Sequence, residues 1–379
     1  MFYLSLFRFI GRSTHLQAGQ IVAVLMLLIL PSVNIGKTAG ESYETQNVLL
    51  PVMSYSPETS LMFGGLAMVQ FKPGNANSDT RSSRFIASGI YTLNRQLMVE
   101  LVPDIILSED RWMIEGRYEY AHFPQNFWGV GPETRNRDKI KLDYRTFGIN
   151  QLILRNFGNS VYAGPKIRWV RVSDVSINDQ ADESVSASGI NSVEGNTLAG
   201  IGLSVRNDLR NSIMTPTKGR YLEFTAMYYS GLAGTTYPHS SWLLDARYYL
   251  PLRDIQPSVL AFQFQSRFTT GDLPFQEYSL LGGREIMRGY YEGRFRDAHS
   301  AQVQAEFRRN VWWRFGLTLF ASAGEVWQRF DEFSMVNPKF SAGAGIRFNF
   351  NPDDPGNLRI DYGIGQHGSG LYITIGEAF

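Results

Sequence analysis

From Asn47 onward, apolar and polar residues alternate with period two, the repeat of a strand with two unlike faces. In 260–269, Leu260, Phe262, Phe264 and Phe268 share one face, and Gln263, Gln265, Arg267 and Thr269 the other. Trp242, Leu244, Ala246, Tyr248 and Leu250 oppose Asp245, Arg247 and Tyr249. Val303, Ala305 and Phe307 oppose Gln302, Gln304, Glu306 and Arg308. Counted this way, sixteen strands are predicted, at 47–55, 60–72, 84–93, 96–106, 112–122, 142–154, 161–172, 197–208, 220–230, 242–250, 259–271, 299–309, 315–327, 340–351, 358–366 and 371–379. A soluble sandwich also alternates. Strands this long, charges of both signs on the polar face, and aromatics near strand ends (Trp112, Tyr120, Trp242, Tyr248, Trp313, Trp327) fit a barrel with lipid outside and water inside. The predicted fold class is therefore all-β: a 16-stranded antiparallel transmembrane β-barrel of the outer membrane.

The connections alternate in length. Those at 108–110, 157–159, 254–257, 310–314 and 352–356 are turn-like, whereas 123–141, 173–196 and 272–298 are long. In such barrels long loops face outside and short turns face the periplasm. The segment 272–298 is then the sixth outer loop.

The N-terminus departs from this pattern. Arg8, Arg12 and His15 precede an apolar run from Ile21 to Leu30, followed by Pro31 and the small residues Thr38, Ala39 and Gly40. This is the layout of a secretory signal peptide, and the run is short for a ~20-residue membrane span. The expected domains are a signal peptide at 1–40, a short segment at 41–46 and the barrel at 47–379. No later apolar run reaches membrane-helix length, so a mature chain in a membrane crosses it as a barrel. The 36 Lys+Arg and 35 Asp+Glu leave a net charge of +1, which argues against nucleic acid as a partner. The absence of Cys removes disulfides, thiol catalysis and Cys-ligated metals. No Gly-x-Ser-x-Gly elbow is present. No enzymatic activity, cofactor or metal is expected.

The sixth outer loop carries the stretch Leu280-Leu281-Gly282-Gly283-Arg284-Glu285-Ile286-Met287-Arg288-Gly289-Tyr290-Tyr291. A loop tip in water gains nothing from paired aromatics. The stretch reads as a loop folded back into the lumen, its Arg288 guanidinium seeking a carboxylate.

Three stretches, in order along the chain, resemble the BamA/TamA-type outer-membrane assembly factors, the bacterial surface antigen family. Ile286-Met287-Arg288-Gly289-Tyr290 is similar to the family's Arg-Gly-aromatic motif on the sixth outer loop. Asp208 and Arg210, with Pro216 and Gly219 after them, resemble its periplasmic turn. Leu371 to Phe379, with Gly376 near the end and a terminal aromatic, resembles its closing strand. The resemblance is best from Asn207 to Phe379. It implies a lumen plugged by the sixth loop, with Arg288, Gly289 and Tyr290 docked on Glu306. In Phe320-Ala321-Ser322-Ala323-Gly324, Ser322 stands where the family carries an Asp. One of the two expected carboxylate partners of Arg288 is therefore expected to be missing. The periplasmic POTRA domains of the family's assembly factors have no room before Asn47 in this sequence.

The resemblance implies a role in outer-membrane protein assembly, translocation or envelope maintenance, acting where the first strand meets the last. The alternative is a passive structural barrel or loop-plugged pore. Implied partners are outer-membrane lipids, a separate periplasmic docking protein and nascent outer-membrane proteins. Association into a homo-oligomer stays open.

Overall fold

The computed structural model describes residues 33–38, 45–72, 81–107, 110–177, 190, 192–252, 258–333, 338–351 and 356–379. Most of the expected signal peptide, and the turns at 254–257 and 352–355, lie outside the described residues.

Sixteen antiparallel strands form the wall. The first eight are β1 (Thr45–Ser56), β2 (Ser60–Phe71), β3 (Ser83–Thr92), β4 (Leu97–Leu107), β5 (Trp112–His122), β6 (Ile140–Asn156), β7 (Val161–Ile177) and β8 (Asn196–Asp208). The rest are β9 (Gly219–Tyr229), β10 (His239–Leu252), β11 (Ser258–Gly271), β12 (His299–Trp312), β13 (Phe315–Trp327), β14 (Lys339–Asn351), β15 (Gly356–Gly365) and β16 (Gly368–Ile375). Each pairs with its sequence neighbours, so the order around the wall is the order in the chain. A Tyr55↔Ile373 bridge between β1 and β16 closes the ring.

The period-two pattern sorts the side chains as predicted. On β9, Leu222, Phe224 and Tyr228 are exposed on the outside, while Tyr221, Glu223 and Thr225 are buried in the lumen. Of the aromatics predicted near strand ends, Trp112, Tyr120, Tyr248 and Trp313 are exposed. Trp327 is not; it is buried against Phe268 and Phe333, with ring centroids 6.0 and 4.7 Å away.

Two departures concern the seam. The last strand was expected to run to Phe379, but β16 stops at Ile375. Gly376 then adopts φ +88°, a left-handed conformation that costs Gly little. The chain turns into the lumen, burying Glu377, Ala378 and Phe379. Phe379 packs beside Tyr249 at a 6.0 Å centroid distance. As a result β1 meets β16 only near its own loop end. Toward the turn end, the edge from Thr45 to Leu49 is paired instead with Val33–Thr38, a strand inside the segment assigned to the signal peptide.

Candidate functional site

The connection between β11 and β12 enters the barrel. Ser279–Leu281 and Phe295–Asp297 pair as a short ribbon, which carries the tip at 282–294. Leu281, Ile286, Met287, Tyr290 and Phe295 cluster with Val326 of the wall. Gly282, Gly283, Gly289 and Gly293 all take positive φ, so the tip is too tightly folded for ordinary residues at those points.

Arg288 is fully buried. Its Nη2 donates to Glu306 Oε1 on β12 and its Nη1 to Asp361 Oδ2 on β15. The guanidinium carbon lies 3.7 Å from the Phe320 ring centre, a cation–π contact that needs no solvent. Gly289 N–H donates to Tyr372 Oη on β16 at 3.0 Å, and Tyr290 Oη donates to the Phe340 carbonyl at 3.0 Å. The tip is thus held by β12, β13, β14, β15 and β16 at once.

The carboxylates beneath Arg288 belong to a closed ring of alternating charge. Glu306 Oε2 accepts from Arg308 Nε at 2.7 Å. Arg308 Nε stands 3.7 Å from Glu377 Oε2, which accepts from Arg347 Nε at 2.7 Å. Arg347 Nη1 donates to Asp361 Oδ1 at 2.5 Å, and Asp361 returns to Arg288. Arg359 Nε, also buried, adds a fourth cation 3.6 Å from Asp361. Buried charges persist only when paired and hydrogen-bonded. This ring joins the loop tip to the inturned tail through Glu377.

Of the residues singled out from sequence, Arg288, Gly289, Tyr290 and Glu306 come together here. Ser322 does not join them. The expectation that Arg288 lacks a second carboxylate is corrected: Asp361, two strands beyond Ser322, supplies it. Ser322 is buried on the lumen face with no partner for its Oγ among the described residues. Sequence reading missed Arg308, Arg347, Asp361 and Glu377. Arg359, Asp361, Gly363 and Gly365 alternate on one face of a strand, and that small, charged face was the available signal.

The second motif caps the turn end. Arg210 Nε and Nη2 donate to Asp208 Oδ1 (2.9 Å) and Oδ2 (2.7 Å), and the guanidinium stacks on Tyr221 at 4.6 Å. The Pro216 carbonyl accepts from Arg308 Nη1 at 3.3 Å, and the Met214 carbonyl from the Glu377 amide at 3.0 Å. Gly219 has φ +108°, and a Cβ there would lie 2.1 Å from the Leu209 carbonyl. This turn therefore braces the same tail that the charge ring holds.

One loop contact depends on pH. In the β1–β2 connection, buried Glu58 accepts from the Glu292 amide at 2.9 Å. Burial, then the Glu292 charge, pushes the Glu58 carboxyl up to about 7. A raised acid takes up its proton more readily folded than unfolded, so its penalty grows as pH climbs from the unfolded value of about 4.3 through 7. Glu58→Gln is expected to leave thermal stability unchanged at pH 4 and raise it at pH 8, by up to about 3 kcal/mol. Equal effects at both pH values would refute the assignment.

The fold and the loop site define a sixteen-stranded β-barrel whose sixth loop docks its tip on the lumen face of β12 to β16. The chain belongs to the Omp85 superfamily, whose domain model matches residues 103–379. Among solved structures it is similar to BamA from Haemophilus ducreyi lacking POTRA domains 1–3, with a TM-score of 0.60 and 12% identity over 95% of this chain and 78% of that one. It is also similar to CdiB from Acinetobacter baumannii, with a TM-score of 0.56 and 14% identity over 89% of this chain and 60% of that one. Comparison with curated proteins gives no match.

Proposed function

We propose that this barrel resides in the outer membrane of a Gram-negative bacterium and promotes assembly or translocation of outer-membrane proteins through the β1–β16 seam. The observation that carries this reading is the seam itself. Every other neighbouring pair of barrel strands shares an extended ladder; β15 and β16, for example, pair from Leu358↔Ile375 to Gly365↔Gly368. Between β1 and β16 stands the single Tyr55↔Ile373 bridge, with Ser54 Oγ donating to the Ile373 carbonyl at 2.5 Å. An unpaired strand edge is a template for another strand. Removal of residues 1–40 as a signal peptide would take Val33–Thr38 with it and free the Thr45–Leu49 edge.

The test is a reversible lock. The chain has no native Cys, so Tyr55→Cys with Ile373→Cys introduces a unique pair across the bridge. The expected result is that cells relying on the oxidised double variant lose outer-membrane proteins as deletion cells do, and that reduction restores them. The lumen plug favours the alternative, a passive barrel. That alternative gains if the locked protein complements the deletion fully.

A further inference from the structure

A second cluster lies at the loop end, away from the charge ring. Arg294 is the last residue of the sixth loop's tip and is only 3% exposed. Its Nη1 donates to Thr134 Oγ1 at 2.7 Å and its Nη2 to the Thr134 carbonyl at 2.8 Å. The guanidinium carbon lies 5.2 Å from the Trp128 ring centre and 4.4 Å from that of Phe295. Its Nε has no hydrogen-bond partner among the described residues, and no carboxylate of those residues forms an ion pair with it. A buried guanidinium without a counterion is costly.

Arg294 lines a cavity of about 540 Å³ that opens between the outer connections, with Glu133, Thr134, Arg135, Lys339 and His367 also in its wall. Lys339 Nζ stands 5.0 Å over the Phe295 ring, and the His367 ring meets the same Phe edge-on at 5.3 Å. Three cationic side chains, Arg135, Arg294 and Lys339, and one carboxylate, Glu133, line the cavity. Asp138 also acts on Arg294, and Glu133 and then Glu325 act on Lys339. Burial brings Arg294 down to about 10, and burial followed by the Arg294 and Lys339 charges holds His367 below its ordinary range.

We propose that this cavity is an anion site that takes a phosphate group, with Arg294 as the buried anchor and Lys339 and Arg135 closing on the exposed oxygens. The requirement is a small, multiply charged acceptor that several donors can share. Free phosphate and the phosphorylated headgroup of an outer-leaflet glycolipid both present it. The site shares no side chain with the charge ring or the seam, and it stands whether or not the seam opens.

The experiment uses the purified full chain in detergent. Two probes are titrated, inorganic phosphate and a bis-phosphorylated lipid A, with dephosphorylated lipid A as control. Binding is followed by thermal shift and by ³¹P line broadening. Both readouts should respond to phosphate, and Arg294→Gln should weaken binding at least tenfold while the barrel keeps its heat-modifiable migration. Lys339→Gln and Arg135→Gln should each weaken it several-fold, and they carry the comparison if Arg294→Gln does not fold. Tight binding of lipid A, lost on dephosphorylation, assigns the headgroup; binding of inorganic phosphate alone assigns a soluble ligand. Absence of binding by both probes, or unchanged affinity in all folded variants, overturns the site.

Discussion

Asp361→Ala is expected to be the most damaging single change in the lumen, exceeding Arg288→Ala. The reasoning is charge balance in a buried ring. Arg288, Arg308, Arg347 and Arg359 face Glu306, Asp361 and Glu377. Removing Arg288 leaves three cations and three carboxylates. Glu306 keeps Arg308, and Asp361 keeps Arg347 and Arg359. Removing Asp361 leaves four cations against two carboxylates, with Arg359 and one arm of Arg347 stripped of their partner. Stranding a buried charge costs roughly 3–5 kcal/mol. Asp361→Ala should therefore fall at the upper end of that range and Glu306→Ala within it. Arg288→Ala should lie at or below the lower end. Adding Arg359→Gln should recover part of the Asp361→Ala loss, because it removes the excess cation. Thermal unfolding of the single and double variants gives the coupling energies. If Arg288→Ala costs more than Asp361→Ala, or if Arg359→Gln brings no recovery, the ring is not one electrostatic unit.

That ring was only partly legible in the sequence. The barrel was readable because each strand has lipid on one side and a polar lumen on the other, and a register slip of one residue would invert every side chain. Glu306 was readable for the same reason, since it falls on the polar face of a clean alternation. Asp361 falls on such a face too. Its partnership with Arg288 spans 73 residues and depends on how far the strands stagger around the wall, which no local pattern encodes. Ser322 drew attention because it occupied a position with a known expectation, while the acid that meets Arg288 lies on β15. The last strand was read too long because Leu371, Ile373 and Ile375 keep the alternation going up to Gly376. The conformation at that glycine, rather than any loss of periodicity, ends β16.

Gly363→Val is expected to drive the loop tip out of its seat while the barrel still forms. The tip lies backbone to backbone on β15. A Cβ at Gly363 would stand 2.6 Å from both the carbonyl carbon and oxygen of Arg288, and one at Gly365 would stand 2.5 Å from the Tyr290 ring. From the other side, Gly289 has φ +111°, and a Cβ on it would reach the Ile364 carbonyl carbon at 2.7 Å. Backbone atoms cannot step aside as a side-chain end can, so the tip must leave. Arg288 would then be drawn away from Glu306 and Asp361. The strand itself has no such objection, because Val suits an extended conformation better than Gly by roughly 0.5–1 kcal/mol. Gly65→Ala is the matched control: a Cβ there meets nothing within 4 Å. In planar bilayers the Gly363→Val barrel should conduct several-fold more than the parent. Protease added on the loop side should cut within 282–294 while the barrel keeps its heat-modifiable migration. The Gly65→Ala protein should match the parent in both respects. Unchanged conductance and an uncut loop in Gly363→Val would mean that the tip does not rest on β15.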